Sequence, residues 1–357
     1  MKKLFKYIAG YPMIKKLFLI LVTAGIPFIY SARLTYVPDS TVIKEIEKID
    51  NEFRGNLGVY IKQFGGEILA QYNTDRRWYM ASTIKVLLAI AVLQKVEAGE
   101  LSLDDKVTLE ISDLVDGSGD LMYKKPGTSY TIRELLERMI KVSDSVASDM
   151  LIRLLREDIF NKHVNEHIID EGVGHITSIL QVRYDAYSEL HASAVNLSNL
   201  DIIKLKSFTS MNSRLNEFVR IASIDKSKLK AKSIPEAFER YYERGLNSCR
   251  PESLATVLER LAGGEYLSIN NTNLLLDIMK GVTTGDRRIR AGMPTGTVYA
   301  QKTGTQIARA VDVGIIYPPY NQQPIIITVF AERFSSSREA EIAFKKIGKV
   351  ITKYWLK

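Results

Sequence analysis

Two side chains in "MASTIKVLLAIAVLQKVEAG", residues 80–99, stand out chemically: Ser82 and Lys85, three positions apart at the head of an otherwise apolar helix. Ile84, Val86, Leu87, Leu88, Ile90, Val92 and Leu93 leave that helix without a polar face, and a helix apolar all round is normally buried. A helix-capping role accounts for the serine, and Gly99 is a natural stop, but a buried lysine needs a reason. A serine hydroxyl is a weak nucleophile until a base takes its proton, and an amine one helical turn away lies on the same face. The pair therefore suits covalent catalysis. Spacing alone is weak support, because Ser223 with Lys226 and Ser227 with Lys230 repeat it in a lysine-rich tract. The first pair differs in its apolar helix and in two motifs downstream: "SDS", Ser143 to Ser145, and "KTGT", Lys302 to Thr305.

These motifs need elements to hold them. Apolar spacing predicts a helix over Ser40 to Phe53, and a hairpin joins "LGVYIKQ" to "EILAQY" across Phe64, Gly65 and Gly66. Three further strands are predicted at "VYAQK", "VDVGIIY" and "PIIITVFAE", followed by an amphipathic helix, "REAEIAFKKIGKVITKYW". Between these halves almost every pattern is helical, including "TIRELLERMIKV" and "PESLATVLERLAGG". The expected fold is α/β plus all-α: a five-stranded antiparallel sheet flanked by helices and interrupted by a helical domain. Residues 40–100 and 282–357 would form the discontinuous α/β domain, and 101–281 the helical domain, with an insertion near 196–246.

Composition excludes a mostly disordered chain: of 357 residues, 46% are hydrophobic and 25% charged. One cysteine, Cys249, permits no intrachain disulfide. Lys2, Lys3, Lys6, Lys15 and Lys16 precede the apolar run "LFLILVTAGIPFIY" and then Ser31 and Ala32. Residues 1–32 are thus expected to be an export signal or an uncleaved N-terminal membrane anchor, with Met13 an alternative start. An exported protein of the periplasm or the outer face of the cytoplasmic membrane is expected. The net charge of +8 comes partly from this segment and partly from "KSKLKAK", residues 226–232. That run reads as a solvated face or a contact to anionic envelope polymers or headgroups; no nucleic-acid partner is expected.

With "GSGDLMYKKPGTSYTIRELLERMIKVSDS" and "QKTGTQIARAVDVGIIY", the ordered set S-x-x-K, S-D-S and K-T-G resembles that of the class A β-lactamase-related serine hydrolases, in the penicillin-recognising serine enzyme superfamily. The likeness covers roughly Ser40 to Trp355 outside the insertion. It implies that Ser82 is the nucleophile, Lys85 its base, Ser143 a proton relay to the departing nitrogen, and Lys302 a second cation that anchors the substrate carboxylate. It further implies an oxyanion hole from the backbone N–H groups of Ser82 and Thr305, and substrate contacts from Ser145, Thr303, Gly304 and Thr305. The substrate would be a β-lactam or a D-Ala-D-Ala-type peptide, with no cofactor and no metal.

Two departures bear on the fate of an acyl-enzyme. Ser145 stands where the family usually has Asn, giving one donor instead of two. The family's deacylating glutamate lies in a loop R-x-E-x-x-L-N. Here "RYDAYSEL" offers Asp185, one methylene shorter, and "ERGLN" offers Glu243 beyond the insertion. β-Lactam hydrolysis is the first expectation. A D,D-carboxypeptidase or transpeptidase is the rival, favoured if neither carboxylate reaches the ester, and a non-catalytic envelope sensor is the third reading. "HVNEH", His163 to His167, has zinc-site spacing but no evident third ligand.

Overall fold

Runs of β-branched and aromatic residues, which fit a pleated half-buried surface, build the strands of the computed structural model, which describes residues 40–169, 172–319 and 322–356. The strands are β1 (Asn56–Gln63), β2 (Ile68–Tyr72), β3 (Trp78–Tyr79), β4 (Lys106–Thr108), β5 (Ser129–Thr131), β6 (Ser248–Cys249), β7 (Val298–Gln306), β8 (Arg309–Tyr317) and β9 (Ile325–Glu332). Five form an antiparallel sheet in the order β2-β1-β9-β8-β7. β9 is buried along its whole length, so both faces of the sheet are covered there. The expected sheet is therefore present, with strand ends within two residues of the predicted ones except at β7, which runs on past Lys302 to Gln306.

The helices follow the chain as α1 (Ser40–Glu52), α2 (Ile84–Glu97), α3 (Ile132–Lys141), α4 (Ser145–Leu155), α5 (Glu157–His167) and α6 (Ile179–Ser188). Next come α7 (Asn199–Ser207), α8 (Met211–Ile221), α9 (Ile234–Glu243), α10 (Pro251–Ala262), α11 (Ile269–Lys280) and α12 (Ser337–Trp355). On one face of the sheet, α1 and α12 share a core with Val59, Ile61, Ile327 and Val329. On the other, α2 lies in a larger core with α3, α4, α10 and α11. Each residue from Ile84 to Leu93 is buried, including Lys85, as an all-apolar helix requires. The described residues from Ser40 onward belong to one compact unit. The expected signal or anchor at residues 1–32 lies outside them. Among the described residues, no helix is long and apolar enough to cross a membrane.

Two features differ from the sequence reading. "RYDAYSEL" is not a loop: Arg183 to Ser188 belong to α6, whose start is fixed by the Ser178 hydroxyl accepting from Gln181 N at 3.1 Å and by Asp149 accepting from Ile179 N and Leu180 N at 2.8 and 2.9 Å. The mostly helical region also holds the short pair β4–β5 and the strand β6, which pairs with β3 from the segment before α2; these are too brief to show a two-residue period. The segment expected as an insertion carries α7, α8 and α9. With α6 and Tyr79 these build a third core around Leu215, Phe218, Phe238 and Tyr241.

Candidate active site

Ser82 lies in a 3-10 turn, Ala81–Thr83, leading directly into α2. It does not cap the helix: Thr83 holds that position, without a side-chain cap bond. Ala81, just before it, has φ +47°, a left-handed conformation that costs a non-glycine residue roughly 1–2 kcal/mol. Such strain gathers where a side chain must be aimed. Ser143 shares it, at φ +60°.

One turn into α2, the fully buried Lys85 donates from Nζ to Ser143 O at 2.6 Å, to Asp144 O at 3.1 Å and, at 3.4 Å, to Ser143 Oγ. Lys302, equally buried on β7, donates to the same Ser143 Oγ at 2.9 Å and to Thr303 O at 2.9 Å. One hydroxyl thus joins two amines from opposite ends of the sequence. Burial takes Lys85 down to about 7; the carboxylates of Asp144 and Asp149 resist this, and Arg183 adds to it. Burial, then the neighbouring Lys85 and Arg288, holds Lys302 well below the ordinary lysine range. Two amines this close and this dry do not both stay protonated, and they titrate as a unit.

The loop around Ser143 is held by Asp144, whose carboxylate accepts from Ala147 N at 2.9 Å, capping α4, and from Asp120 N and Leu121 N at 3.0 and 3.2 Å. Ser145 N donates to Ser118 O at 3.0 Å. Gly119, at φ +87°, makes this fit possible, since a Cβ there would lie 2.0 Å from Asp144 Oδ2. β7 closes the other side. It is an edge strand, so one row of its backbone groups has no strand partner. A Cβ on Gly304 would lie 2.8 Å from Met80 O and 2.9 Å from Ser82 N, so only glycine lets this strand lie against the backbone of Ser82.

Ser82, Ser145 and Thr305 line one cleft, together with Tyr79, Arg183 and Asn247. Behind Thr305 stands Arg288, which the sequence reading did not single out. It donates from Nη1 to Gly304 O at 2.9 Å and Val311 O at 2.7 Å, and from Nη2 to Thr305 Oγ1 at 2.5 Å. Thr303 Oγ1 lies 2.6 Å from Thr284 Oγ1. Arg288 sits in "TTGDRRIRAG" among other arginines, and nothing in the spacing marks it as the inward one. Asp149 was missed because a carboxylate on an otherwise apolar stretch of α4 matches no motif.

The two acids expected to serve deacylation stand on α6 and α9. Asp185 is half-buried on α6, accepting from Gln181 Nε2 at 3.0 Å and facing Arg244 at 3.5 Å. Glu243 is exposed at the end of α9. Neither is among the residues lining the cleft. Asn247, at the end of the "ERGLN" string, does line it. Its Oδ1 accepts from Thr177 N at 3.0 Å, and its Nδ2 donates to Thr177 Oγ1 at 2.9 Å and Tyr241 OH at 2.8 Å. His163 Nε2 lies 2.7 Å from Gln94 Oε1. Among the described residues, no three potential ligating side chains are grouped to hold a metal.

Known proteins share this plan. The model of the "Beta-lactamase enzyme family" matches residues 41–355. "Beta-lactamase SME-1" of Serratia marcescens is 24% identical over 294 residues, covering 82% of this chain and 81% of its own. "Beta-lactamase VEB-1" of Pseudomonas aeruginosa is 24% identical, covering 96% and 99%. Among solved structures, the TLA-1 extended-spectrum β-lactamase superposes with a TM-score of 0.67 at 22% identity, over 89% of this chain and 99% of its own. A mutant of PBP-A, in an acyl-enzyme complex with penicillin G, gives 0.66 at 20% identity, over 89% and 97%. A match running from α1 to the last turn of α12, with the ordered motifs meeting at Ser143, leaves one conclusion: the chain belongs to the beta-lactamase enzyme family.

Proposed function

We propose that the protein is an exported active-site serine enzyme, acylated at Ser82 by β-lactams and D-Ala-D-Ala peptides, and that its acyl-enzyme is long-lived, as suits a penicillin-binding D,D-peptidase. The observation that carries the acylation step is the Ser143 hydroxyl bonded by both Lys85 and Lys302, with Lys85 one turn along the helix from Ser82. Neutral Lys85 takes the Ser82 proton as Oγ attacks the carbonyl. Negative charge on the carbonyl oxygen forms beside the N–H groups of Ser82 and Thr305, each such donor being worth about 3 kcal/mol. Ser143 then passes a proton to the departing nitrogen, and Lys302 supports the exchange. Lys302, Thr303, Thr305 and Arg288 gather donors for the substrate carboxylate.

The fate of the ester is argued from the cleft wall. Hydrolysis needs a base for water, and no Asp or Glu is among the described residues that line the cleft. That composition of the cleft wall supports the peptidase reading over the lactamase one. The test is a fluorescent-penicillin chase: label that survives for hours supports this reading, whereas rapid loss with release of hydrolysed drug returns the protein to the lactamases.

A further inference from the structure

Arg183 carries a feature that the serine–lysine chemistry leaves unused. It is 9% exposed, and its Nε donates to the more deeply buried Asp116 at 2.7 Å, with Nη2 3.4 Å from Asp116 O. Nη1 is buried and has no hydrogen-bond partner among the described residues. Buried polar groups are nearly always paired, and an exception on a cation calls for an explanation. This one belongs to a residue on the wall of the cleft that contains Ser82.

The two walls differ in what they already hold. On the β7 side, the family resemblance assigns Lys302, Thr303 and Thr305 to the leaving group's carboxylate, and Arg288 is bonded to Thr305 Oγ1. On the other side stand Ser145, which the family resemblance places at the acyl amide, and Arg183. The nearby acids are turned to other work: Asp144 and Asp149 cap backbone N–H groups, and Asp116 sits behind Arg183. Among the described residues lining the cleft, Arg183 is the only cation and no carboxylate is present, and a guanidinium edge matches a carboxylate better than a lone carbonyl.

We propose that Arg183 is a specificity-determining residue whose Nη1 receives a carboxylate on the acyl portion of the substrate, so that dianionic substrates acylate Ser82 faster than monoanionic ones. This rests on the acylation reading above. Benzylpenicillin and its α-carboxylated analogue carbenicillin differ by that one carboxylate and serve as probes. The acylation rate constant for each is measured on the wild type, Arg183→Met, Arg183→Lys and the double variant Arg183→Met with Asp116→Leu. The double variant removes both halves of the buried pair and leaves no orphan charge, so it carries the comparison should the single variant fail to fold. The wild type is expected to favour carbenicillin by about tenfold or more, the worth of one charge-assisted hydrogen bond. The Met variants bring the ratio to about one, and Lys restores part of it. A wild-type ratio near one, or a ratio that the Met variants leave unchanged, overturns the inference and leaves acylation standing. Failure of both penicillins to acylate the wild type overturns the acylation reading, and the inference with it.

Discussion

At the scale of single residues, the site turns on which buried amine lacks a proton. As the proposed base, Lys85 must be neutral, and burial brings it, coupled to Lys302, down to about 7. Below that pH it holds its proton, so the acylation rate is expected to fall about tenfold per unit and to level off above it. Penicillin-labelling rates between pH 5 and 9 check this; a flat profile contradicts it. Lys85→Arg keeps a permanent charge at the same place and is expected to slow acylation by about a thousandfold or more. Ser143→Ala removes the hydroxyl shared by both amines. It is expected to lower the rate by about a hundredfold or more, while circular dichroism stays native because Asp144 still fixes the loop. A Ser143→Ala protein with wild-type rates would remove the relay from the mechanism.

At the scale of elements, the proposed oxyanion hole depends on the close packing of β7 against the Ala81–Thr83 turn. Gly304→Ala would press a methyl group into Met80 O and Ser82 N. Displacing the nucleophile by a fraction of an ångström to 1 Å is expected to slow acylation by about a hundredfold, with a smaller change in thermal midpoint. Stopped-flow acylation beside a melting curve separates the two effects. The elements that carry this geometry were largely legible in the sequence. The all-apolar surroundings of Lys85 announced its burial, and alternating apolar runs placed the five strands of the sheet. Ordered motifs located Ser82, Ser143 and Lys302. What was not legible depends on side-chain partners far apart in sequence. Arg183 and Arg288 look like surface arginines until Asp116 and the carbonyls of Gly304 and Val311 are brought to them. The loop form expected around Asp185 gave way to a helix because Asp149, some thirty residues earlier, supplies its N-terminal acceptors.

At the scale of the whole molecule, the α7–α9 segment packs against the elements beside the cleft. Tyr242 OH donates to Ile307 O at 3.0 Å in the β7–β8 turn, and Glu239 holds Arg309 through two 2.8 Å contacts. Tyr79, on the strand leading to Ser82, packs 4.7 Å from the Tyr242 ring and 6.0 Å from Tyr241. Phe218, fully buried and stacked 5.5 Å from Tyr187, is central to this unit. Phe218→Ala is expected to cost about 3–5 kcal/mol in urea unfolding; a loss below about 1 kcal/mol would mean the insertion is not packed as a cooperative part of the fold. The account as a whole depends on covalent capture at one hydroxyl. Intact-protein and peptide mass spectrometry after incubation with benzylpenicillin tests this most directly. The account predicts a single penicilloyl adduct, mapped to Ser82, absent from Ser82→Ala and persisting after free drug is removed. An adduct on another residue, or one retained by Ser82→Ala, would contradict it.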